Sequence, residues 1–364
     1  MFYLRNIETV HFKNHPSSTF RFNKNIIGIC GPNASGKTNL LDAIYILCLT
    51  KSHFNFQEST NVSFGKEGYR LSGQFSMGKK LIPVSAVLRE TGRKEFTWDG
   101  ISYSRGFNHI GKLPVVIIAP DDIEIILGGG EIRRKMVDGL LSQADSLYLQ
   151  HLLQYAKLVK QRNALLKDPA VQFQLDTLDA LDQQLPAHAG YIAQSRHQLL
   201  KGFLEIAEAY YRQIAGATKG VNLGYQACLQ WDGNYQKNFS QALLQYRPKD
   251  IAAGRSLFGV HREDILLGIN GNTFKQIASQ GEKKSLLFAL KLAEFAWLRK
   301  HKGFAPILLL DDVFEKLDND RIANLLKEVC QNAEGQIFIT DTDCERLSLQ
   351  LTTIGIDYQI IQMS

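Results

Sequence analysis

One segment has the residue types and spacing of a phosphate-binding loop: Gly31-Pro32-Asn33-Ala34-Ser35-Gly36-Lys37-Thr38 fits G-x-x-x-x-G-K-[S/T]. In such a loop, backbone N–H groups and the N-terminus of the following helix bind phosphate oxygens. The ammonium of Lys37 would reach the β and γ phosphates, and the hydroxyl of Thr38 would join the shell of a Mg²⁺ ion. Each residue of the segment is therefore a candidate for binding ATP, and Lys37 is also a candidate catalytic residue.

The flanks of this loop agree with that interpretation. The apolar run Ile26–Cys30 is typical of a strand, and the apolar periodicity of residues 38–49 predicts a helix. Ala34 stands where many cassette ATPases have another glycine. Because a methyl group disfavours positive φ, we expect the φ of Ala34 to be negative.

Two adjacent carboxylates, Asp311 and Asp312, follow the aliphatic run Ile307-Leu308-Leu309-Leu310. Such a run predicts a central parallel strand buried on both faces, and ligands bind at the carboxyl ends of these strands. Asp311 would hold Mg²⁺, and Asp312 would orient or deprotonate the attacking water. Cassette ATPases generally have glutamate at the second position, so the shorter Asp312 predicts slow hydrolysis. The alternative is an acidic turn at a strand end.

A third motif, Ser279-Gln280-Gly281-Glu282, opens a long helical pattern of apolar residues that ends just before the carboxylate strand. By itself, a serine before a helix is usually an N-cap. In a cassette dimer, however, this helix N-terminus points at the γ-phosphate held by the other subunit. The Ser279 hydroxyl and the Gly281 N–H would then be the donors, and the site would be complete only when two copies meet.

Composition sets the class of protein. The 364 residues are 45% hydrophobic and 10% aromatic, as expected for a globular chain of more than one lobe. No apolar stretch approaches the roughly 20 residues that span a bilayer, and the N-terminus lacks the apolar core of a signal peptide. The five cysteines include no C-x-x-C pair. We therefore expect reduced thiols, packed in the core, and a cytoplasmic location.

The net charge of +6 favours a polyanionic partner without requiring one. Cations concentrate in one predicted helical region, and a further pair lies beside the third motif. These cations are Arg133, Arg134, Lys135, Lys157, Lys160, Arg162 and Lys167, with Lys283 and Lys284 as the pair. The cluster is either a nucleic-acid surface or a solvated helix face.

The order of segments predicts an α/β fold: an ATPase head of the ATP-binding-cassette type, like that of SMC proteins, with an inserted, mainly helical arm. We assign 1–120 and 250–364 to the head and 121–249 to the arm. Strand patterns dominate the first part, and helical periodicity runs from Glu131 to about Ala215, interrupted by Pro169 and Pro186. Two apolar faces are predicted within this region. One consists of Leu149, Leu152, Leu153, Ala156 and Val159, and the other of Ile192, Leu199, Leu200, Phe203, Ile206 and Ala207.

The chain resembles the RecF family of bacterial recombinational repair ATPases, which is related to SMC heads. The similarity extends over nearly the whole length and is far more specific than a phosphate loop alone. The matching stretches are Asn25–Tyr45, Lys51-Ser52-His53, Pro114–Glu124, Arg162-Asn163-Ala164-Leu165-Leu166, Gly259-Val260-His261-Arg262-Glu263-Asp264, Ser279–Glu294 and Pro306–Asp318.

The resemblance implies ATP-dependent dimerisation on gapped DNA, at junctions of single-stranded and double-stranded DNA. It further implies cooperation with RecO and RecR to place RecA, with consequences for DNA replication restart and the SOS response. For individual residues, it implies the phosphate, metal, trans and catalytic roles given above. It also places the turn Lys13-Asn14 against the nucleotide and Asp318 in a loop that faces the dimer partner.

Three positions depart from the family's wider pattern or stay open. Pro120-Asp121-Asp122 lies where relatives carry a glutamine loop, and a carboxylate replaces an amide only in part. Thr340-Asp341-Thr342 lies where many cassette enzymes have a switch histidine. His261-Arg262 is either a hydrogen-bonded turn or a contact to nucleotide or DNA.

Two other classes share these motifs. In a nucleotide-binding subunit of a transporter, the distance from loop to third motif is much shorter than the separation of Lys37 and Ser279. A structural head of the SMC or RecN type would carry a long coiled coil, which the proline-interrupted region 131–215 does not resemble.

Overall fold

A computed structural model describes residues 2–55, 57–103, 106–171, 174–216, 220–312, 314, 319–331 and 335–364. The chain forms two compact units: the first comprises Met1–Ile123, Ala209–Thr218 and Ser279–Ser364, and the second Glu124–Glu208 and Lys219–Ala278. The predicted head and arm differ from these units mainly at 250–278, which belongs to the second unit. Pairing explains this difference, because the strand Asp264–Ile269 lies antiparallel to Val221–Gln226.

In chain order, the strands are β1 (Phe2–Phe12), β2 (His15–Arg21), β3 (Ile26–Cys30), β4 (Tyr69–Met77), β5 (Lys80–Leu88), β6 (Lys94–Trp98), β7 (Ile101–Tyr103), β8 (Val115–Ile118), β9 (Val221–Gln226), β10 (Asp264–Ile269), β11 (Asn272–Thr273), β12 (Ile307–Leu310), β13 (Ile337–Asp341) and β14 (Tyr358–Gln362). The helices are α1 (Lys37–Leu49), α2 (Glu124–Leu127), α3 (Gly130–Ala144), α4 (Ser146–Leu166), α5 (Leu175–Ala215), α6 (Tyr235–Ala253), α7 (Phe274–Ile277), α8 (Gln280–Lys302), α9 (Asn319–Leu326) and α10 (Cys344–Thr353). Short 3₁₀ turns cover Glu58–Asn61, Gly106–Asn108, Pro120–Ile123 and Val260–Arg262, and a π turn covers Lys327–Gln331.

The first unit contains two sheets within the described residues. One is antiparallel, in the order β2-β1-β4-β5-β6-β7, and the other is parallel, in the order β14-β3-β13-β12-β8. Every residue of β3, β8, β12 and β13 is buried, as the aliphatic runs predicted. Helix α1 contributes Leu40, Leu41, Ile44 and Leu47, all fully buried, to a core shared with strands of both sheets. The carboxyl ends of β3 and β12 therefore lie at the same edge of the parallel sheet.

The second unit consists of helices with the small sheet β11-β10-β9 among its described residues. The prediction that Pro186 breaks the helical region is wrong, because α5 continues through it, whereas Pro169 does fall between α4 and α5. The predicted face of α5 is confirmed by the burial of Ile192, Leu199 and Phe203. No helix among the described residues is long and apolar enough to cross a membrane.

The predicted apolar face of α4 is largely wrong. Its buried side consists of Tyr148, Leu149, Tyr155, Leu158, Arg162 and Leu166. Of the other predicted members, Leu153 is 48% exposed, Ala156 is exposed, and Leu152 and Val159 are only half-buried. Arg162 replaces an apolar residue on the buried side because carboxylates of two other helices neutralise it.

Two cations of the predicted basic cluster are structural. Arg162 is fully buried, with Nε 2.6 Å from Asp182 and Nη1 2.6 Å from Asp250. Arg133 is 9% exposed and forms two hydrogen bonds with Asp264, at 2.8 and 2.7 Å. Because a buried, paired guanidinium cannot reach a phosphate, neither residue belongs to a nucleic-acid surface.

Candidate nucleotide site

The segment Gly31–Thr38 lies between the end of β3 and the start of α1, as predicted. Gly36 has φ +99°, a conformation that disfavours any side chain, and a Cβ there would lie 2.7 Å from the Asn14 amide. A Cβ on Gly31 would lie 2.3 Å from the carbonyl oxygen of Met363. Both glycines are therefore required by the close packing of the loop.

The prediction of a negative φ for Ala34 is wrong, since its φ is +66°. For a residue with a side chain, this left-handed conformation costs roughly 1–2 kcal/mol. Neighbouring contacts offset the cost: the Asn14 amide donates to the Ala34 carbonyl at 3.1 Å, and Asn39 donates to Asn14 at 2.7 Å. His15 Nε2 also lies 3.1 Å from the Gly36 carbonyl. The turn around Asn14 thus holds the loop in shape.

Lys13, which the resemblance placed against the nucleotide, has a structural partner. Its ammonium lies 2.6 Å from a carboxylate oxygen of Asp42, a fully buried residue of α1. Asp42 also accepts hydrogen bonds from the Ser52 hydroxyl and the His53 N–H. The N-terminal turn therefore contacts the phosphate loop through Asn14 and His15, while Lys13 ties it to α1.

The interior of the loop suits an anion. Lys37 is 8% exposed, and its ammonium donates to the carbonyls of Gly31 and Pro32, both at 2.8 Å. The hydroxyl of Ser35 is buried without a hydrogen-bond partner among the described residues. A cation and an unpaired hydroxyl in a glycine-rich turn at a helix N-terminus match the donors that a nucleotide phosphate needs. The residues present therefore fit ATP.

Asp311 stands opposite this loop, at the end of β12. Its carboxylate accepts a hydrogen bond from the Thr38 hydroxyl, which lies 3.0 Å from each carboxylate oxygen. Burial raises the pKa of Asp311, and the hydrogen bonds from Thr340 and Thr38 oppose that rise. No group of three or more His, Cys, Asp or Glu side chains in the described ranges could hold a metal ion. A Mg²⁺ ion, which accepts few protein ligands, nevertheless fits the hydroxyl and carboxylate oxygens of Thr38 and Asp311.

Sequence reasoning named Thr340 but missed its role, which is to hold the two carboxylate residues together. Its hydroxyl lies 2.9 Å from Asp311 Oδ1 and accepts a hydrogen bond from the Asp312 N–H at 2.8 Å. Asp312 is half-buried and has φ +48°. Where the resemblance places a switch histidine, this chain thus has a fully buried threonine that contacts the Asp311 carboxylate and the Asp312 backbone from the neighbouring strand. Only the pairing of β12 with β13 brings Thr340 there.

Ser279 is the N-cap of α8 and forms a capping box with Glu282. The Ser279 hydroxyl accepts from the Glu282 N–H at 3.2 Å, and the Glu282 carboxylate accepts from the Ser279 N–H at 2.7 Å. A Cβ on Gly281 would lie 1.7 Å from a guanidinium nitrogen of Arg321, so a side chain there would require Arg321 to move. No hydrogen bond among the described residues joins Ser279 to Gly31–Thr38. Asp318 lies outside the described residues.

Asp122 does not take the place of a loop amide. It accepts a hydrogen bond from the Ala119 N–H at 2.8 Å, and it lies 3.3 Å from His53 Nε2. Burial alone would raise the pKa of Asp122, but Lys291 and His53 bring it below its usual value. Asp122 thus anchors its own turn to the His53 loop and to α8.

On α8, Lys291 and Glu294 are both nearly buried and lie 3.4 Å apart. Burial raises the pKa of Glu294 to about 7, although Lys291 lowers it in part. Because Lys291 also acts on Asp122, these charges connect α8 with the turn at Pro120–Ile123. Sequence reasoning missed this cluster, whose members are far apart along the chain.

The expectation of five reduced thiols is wrong for two of them. Cys30, immediately before Gly31, and Cys344, at the start of α10, form a disulfide with their Cα atoms 5.2 Å apart. The sheet order places α10 next to β3, within the distance that a disulfide bridges. The free cysteines are Cys48, Cys228 and Cys330.

His261 and Arg262 form a hydrogen-bonded turn in the second unit. The Tyr155 hydroxyl lies 2.8 Å from His261 Nδ1, and Arg262 donates to the Ser256 carbonyl. Burial lowers the pKa of His261 to about 4, despite the Ser256 carbonyl, and the ring is therefore neutral at pH 7. These contacts favour a hydrogen-bonded turn over a contact to nucleotide or DNA for this pair.

The disulfide predicts the number of thiols that can be alkylated. Unfolded without reductant, the protein should take up label only at Cys48, Cys228 and Cys330, and after reduction at every cysteine. Intact mass after iodoacetamide treatment measures this. As a control, Cys344→Ser frees Cys30 and should add one label. Full labelling without reductant would show that the bond is absent.

Glu294 predicts a pH dependence of stability. With a folded pKa of about 7, above the usual carboxyl value, the native state binds more protons than the unfolded state between these values. This group therefore makes the free energy of unfolding fall as pH rises towards 7. Urea unfolding of Glu294→Gln at pH 5 and pH 8 should show a smaller decline than in the wild type. The exposed Glu67→Gln is the control, and parallel curves for Glu294→Gln and wild type would contradict the prediction.

Known proteins are similar to this chain along nearly its whole length. The family model for the RecF/RecN/SMC N-terminal domain matches residues 3–362. The DNA replication and repair protein RecF of Flavobacterium johnsoniae is 35% identical over 99% of this chain and 100% of its own length. The corresponding protein of Cytophaga hutchinsonii is 36% identical over 95% and 91%.

Solved structures agree. A structure of the recombination mediator protein RecF-ATP in the RecFOR pathway has a TM-score of 0.84 and 29% identity, with 94% of each chain covered. The Smc head domain of Pyrococcus furiosus has a TM-score of 0.57 at 15% identity, which shows a shared fold alone. The expected fold, an ATPase head of the cassette type with an inserted helical part, is thereby confirmed. This chain belongs to the RecF family of DNA replication and repair proteins.

Proposed function

We propose that this chain is an ATP-dependent DNA-binding protein of recombinational repair that hydrolyses ATP slowly. The observation that carries the ATPase proposal is the contact of Thr38 with Asp311, 3.0 Å from each carboxylate oxygen. This contact joins the phosphate loop to the carboxyl end of a different parallel strand. A hydroxyl and a carboxylate at that junction form the protein side of a magnesium nucleotide site.

In the proposed mechanism, the γ-phosphoryl group of ATP passes to water and ADP leaves, and a bound Mg²⁺ ion would neutralise the charge that develops on the phosphate oxygens. Backbone N–H groups of Gly31–Thr38 bind the phosphates, while Lys37 leaves its carbonyl partners to contact the β and γ oxygens. Thr38 and Asp311 are the residues that would hold this ion. Asp312 orients the attacking water and accepts its proton. Thr340 fixes both carboxylate residues relative to each other.

We infer that a second copy of the chain completes the site. Ser279 and Gly281 lie at the N-terminus of α8, where hydroxyl and N–H groups bind a phosphate well. Within one chain, the Ser279 hydroxyl serves as a cap for its own helix. We propose that it donates to the γ-phosphate of the partner chain, so that dimerisation depends on ATP.

The cellular role is proposed by analogy with relatives. The curated relatives are DNA replication and repair proteins, and two similar solved structures are of the recombination mediator protein RecF in the RecFOR pathway. We propose that the dimer forms on DNA at gaps or junctions of single and double strands. With RecR and RecO it would help to load RecA in the cytoplasm and so support replication restart and the SOS response.

The loop and carboxylate roles predict separable defects. Lys37→Ala and Thr38→Ala should abolish ATP binding without unfolding the protein, because both side chains serve the ligand. Asp312→Asn should bind ATP but hydrolyse it far more slowly, since Asp311 still holds the metal. Equilibrium binding of labelled ATP and phosphate release measure these effects. Unchanged turnover in Asp312→Asn would place the water-activating group elsewhere.

The trans role of Ser279 predicts complementation. Ser279→Arg should retain ATP binding as a monomer but fail to dimerise, because a bulky cation replaces a small donor. Mixed with Lys37→Ala, it forms a heterodimer with one composite site that has intact Lys37 and, opposite, intact Ser279. ATPase activity should therefore recover partly only on mixing.

Sedimentation with ATP and gapped DNA tests dimerisation and partner class together. Ser240→Arg adds the same charge at an exposed position of α6 and is the matched control, with normal behaviour expected. If Ser279→Arg alone hydrolysed ATP normally, and mixing added nothing, the site would belong to one chain.

A further inference from the structure

The second unit contains a cavity of about 750 Å³ lined by α3, α4 and the turn Val260–Arg262. Its floor includes the apolar residues of α4 that the core does not cover. Leu152, Ala156 and Val159 lie three or four positions apart along the helix and so form one stripe. Val260, which is 1% exposed, adds to this floor. These apolar residues of α4 thus line a concave surface and do not pack in the core.

Cations surround this floor, and most of them have no carboxylate partner. Lys160 and Lys167 are exposed and have no ion-pair or hydrogen-bond partner among the described residues. Arg134 donates to the Glu263 carbonyl at 2.5 Å, and Arg262 donates to the Ser256 carbonyl. Lys135 and the buried Arg196 are the exceptions, since Lys135 pairs with Glu131 at 2.8 Å and Arg196 pairs with Asp138 and Glu263.

The lining has little negative charge to balance these cations. Glu131 is paired with Lys135, and Asp138 is paired with the buried Arg196 at 2.8 Å. Burial lowers the pKa of Arg134 and the guanidinium of Arg196 adds to that shift, whereas the carboxylates of Asp264, Asp138 and Glu131 oppose it. An anion bound beside Arg134, Lys160 and Lys167 would therefore gain favourable interactions from all three.

We propose that this cavity binds an acidic peptide segment of a partner protein, with one or two apolar side chains on the α4 stripe and carboxylates at the cationic rim. The apolar floor favours a peptide over nucleic acid, because a phosphate backbone gains nothing from Leu152, Ala156 and Val159. Tyr155, the phenolic ring of the lining, is 3% exposed and bonded to His261, so it offers no open face for a base to stack on. An apolar anchor surrounded by complementary charge is the usual anatomy of a peptide site.

The test uses a fluorescein-labelled peptide of sequence Asp-Asp-Glu-Leu-Phe-Glu-Asp-Asp and the full-length chain. Fluorescence anisotropy should show binding, and the double variant Lys160→Glu/Lys167→Glu should lower affinity by at least about tenfold. Lys157→Glu is the matched control, because Lys157 is also exposed on α4 but does not line the cavity. It should change affinity by less than about twofold. ATP binding should be the same in all variants, which confirms that they are folded.

Two further arms test the apolar floor and the alternative ligand. Ala156→Tyr fills the floor without changing charge and should also weaken the peptide, as should replacement of Leu-Phe by Ser-Ser in the peptide. Oligothymidine and a DNA duplex are titrated against the same variants. The proposal is overturned if the peptide does not bind, or if Lys157→Glu weakens it as much as the double variant. It is equally overturned if the double variant weakens DNA binding but not peptide binding, since the cavity would then be a nucleic-acid site.

Discussion

The carboxylate of Asp311, held by two threonine hydroxyls, is the contact on which the candidate site depends. Thr38 comes from the start of α1 and Thr340 from β13, so a single buried carboxylate connects three separate segments. Burial makes the charged form of Asp311 costly, and its neighbours lower that cost through hydrogen bonds. A site of this kind is pre-arranged for a cation, because the oxygens are already together before a ligand arrives.

A second set of buried charges extends from the loop helix to the helix of the third motif. Asp42 of α1 binds the N–H of His53, the ring of His53 lies beside Asp122, and Asp122 lies in the field of Lys291 on α8. Breaking one member of such a cluster leaves a buried charge uncompensated. The helix that follows Ser279 is thus linked to α1 through charged side chains.

Basic side chains in the second unit have two different roles. Arg162 and Arg196 are buried and neutralised by carboxylates from other segments, and they fix the packing of the helices. Lys160 on α4 and Lys167 directly after its end remain exposed, and their ammonium groups have no partner in the part of the chain that the structure describes. Helical periodicity separates them, since neighbouring positions point to different sides of a helix. Some cations of the basic cluster seen in the sequence therefore stabilise the packing of the second unit, and others lie at the rim of its cavity.

The sequence by itself determined what depends on neighbouring residues. The glycine spacing of Gly31–Thr38, the uninterrupted aliphatic strand before Asp311 and the capping residues of Ser279–Glu282 are local patterns, and each forms the predicted element. The tertiary structure decided what depends on distant segments. Sheet order brought Thr340 to Asp311 and Cys344 to Cys30, and contacts from Asn14 allowed a positive φ at Ala34. Carboxylates from other segments made Arg133 and Arg162 internal, and the packing of the helices left Ala156 uncovered. Local patterns carry no information on such pairings, because a residue's partner is chosen by the packing of the whole chain.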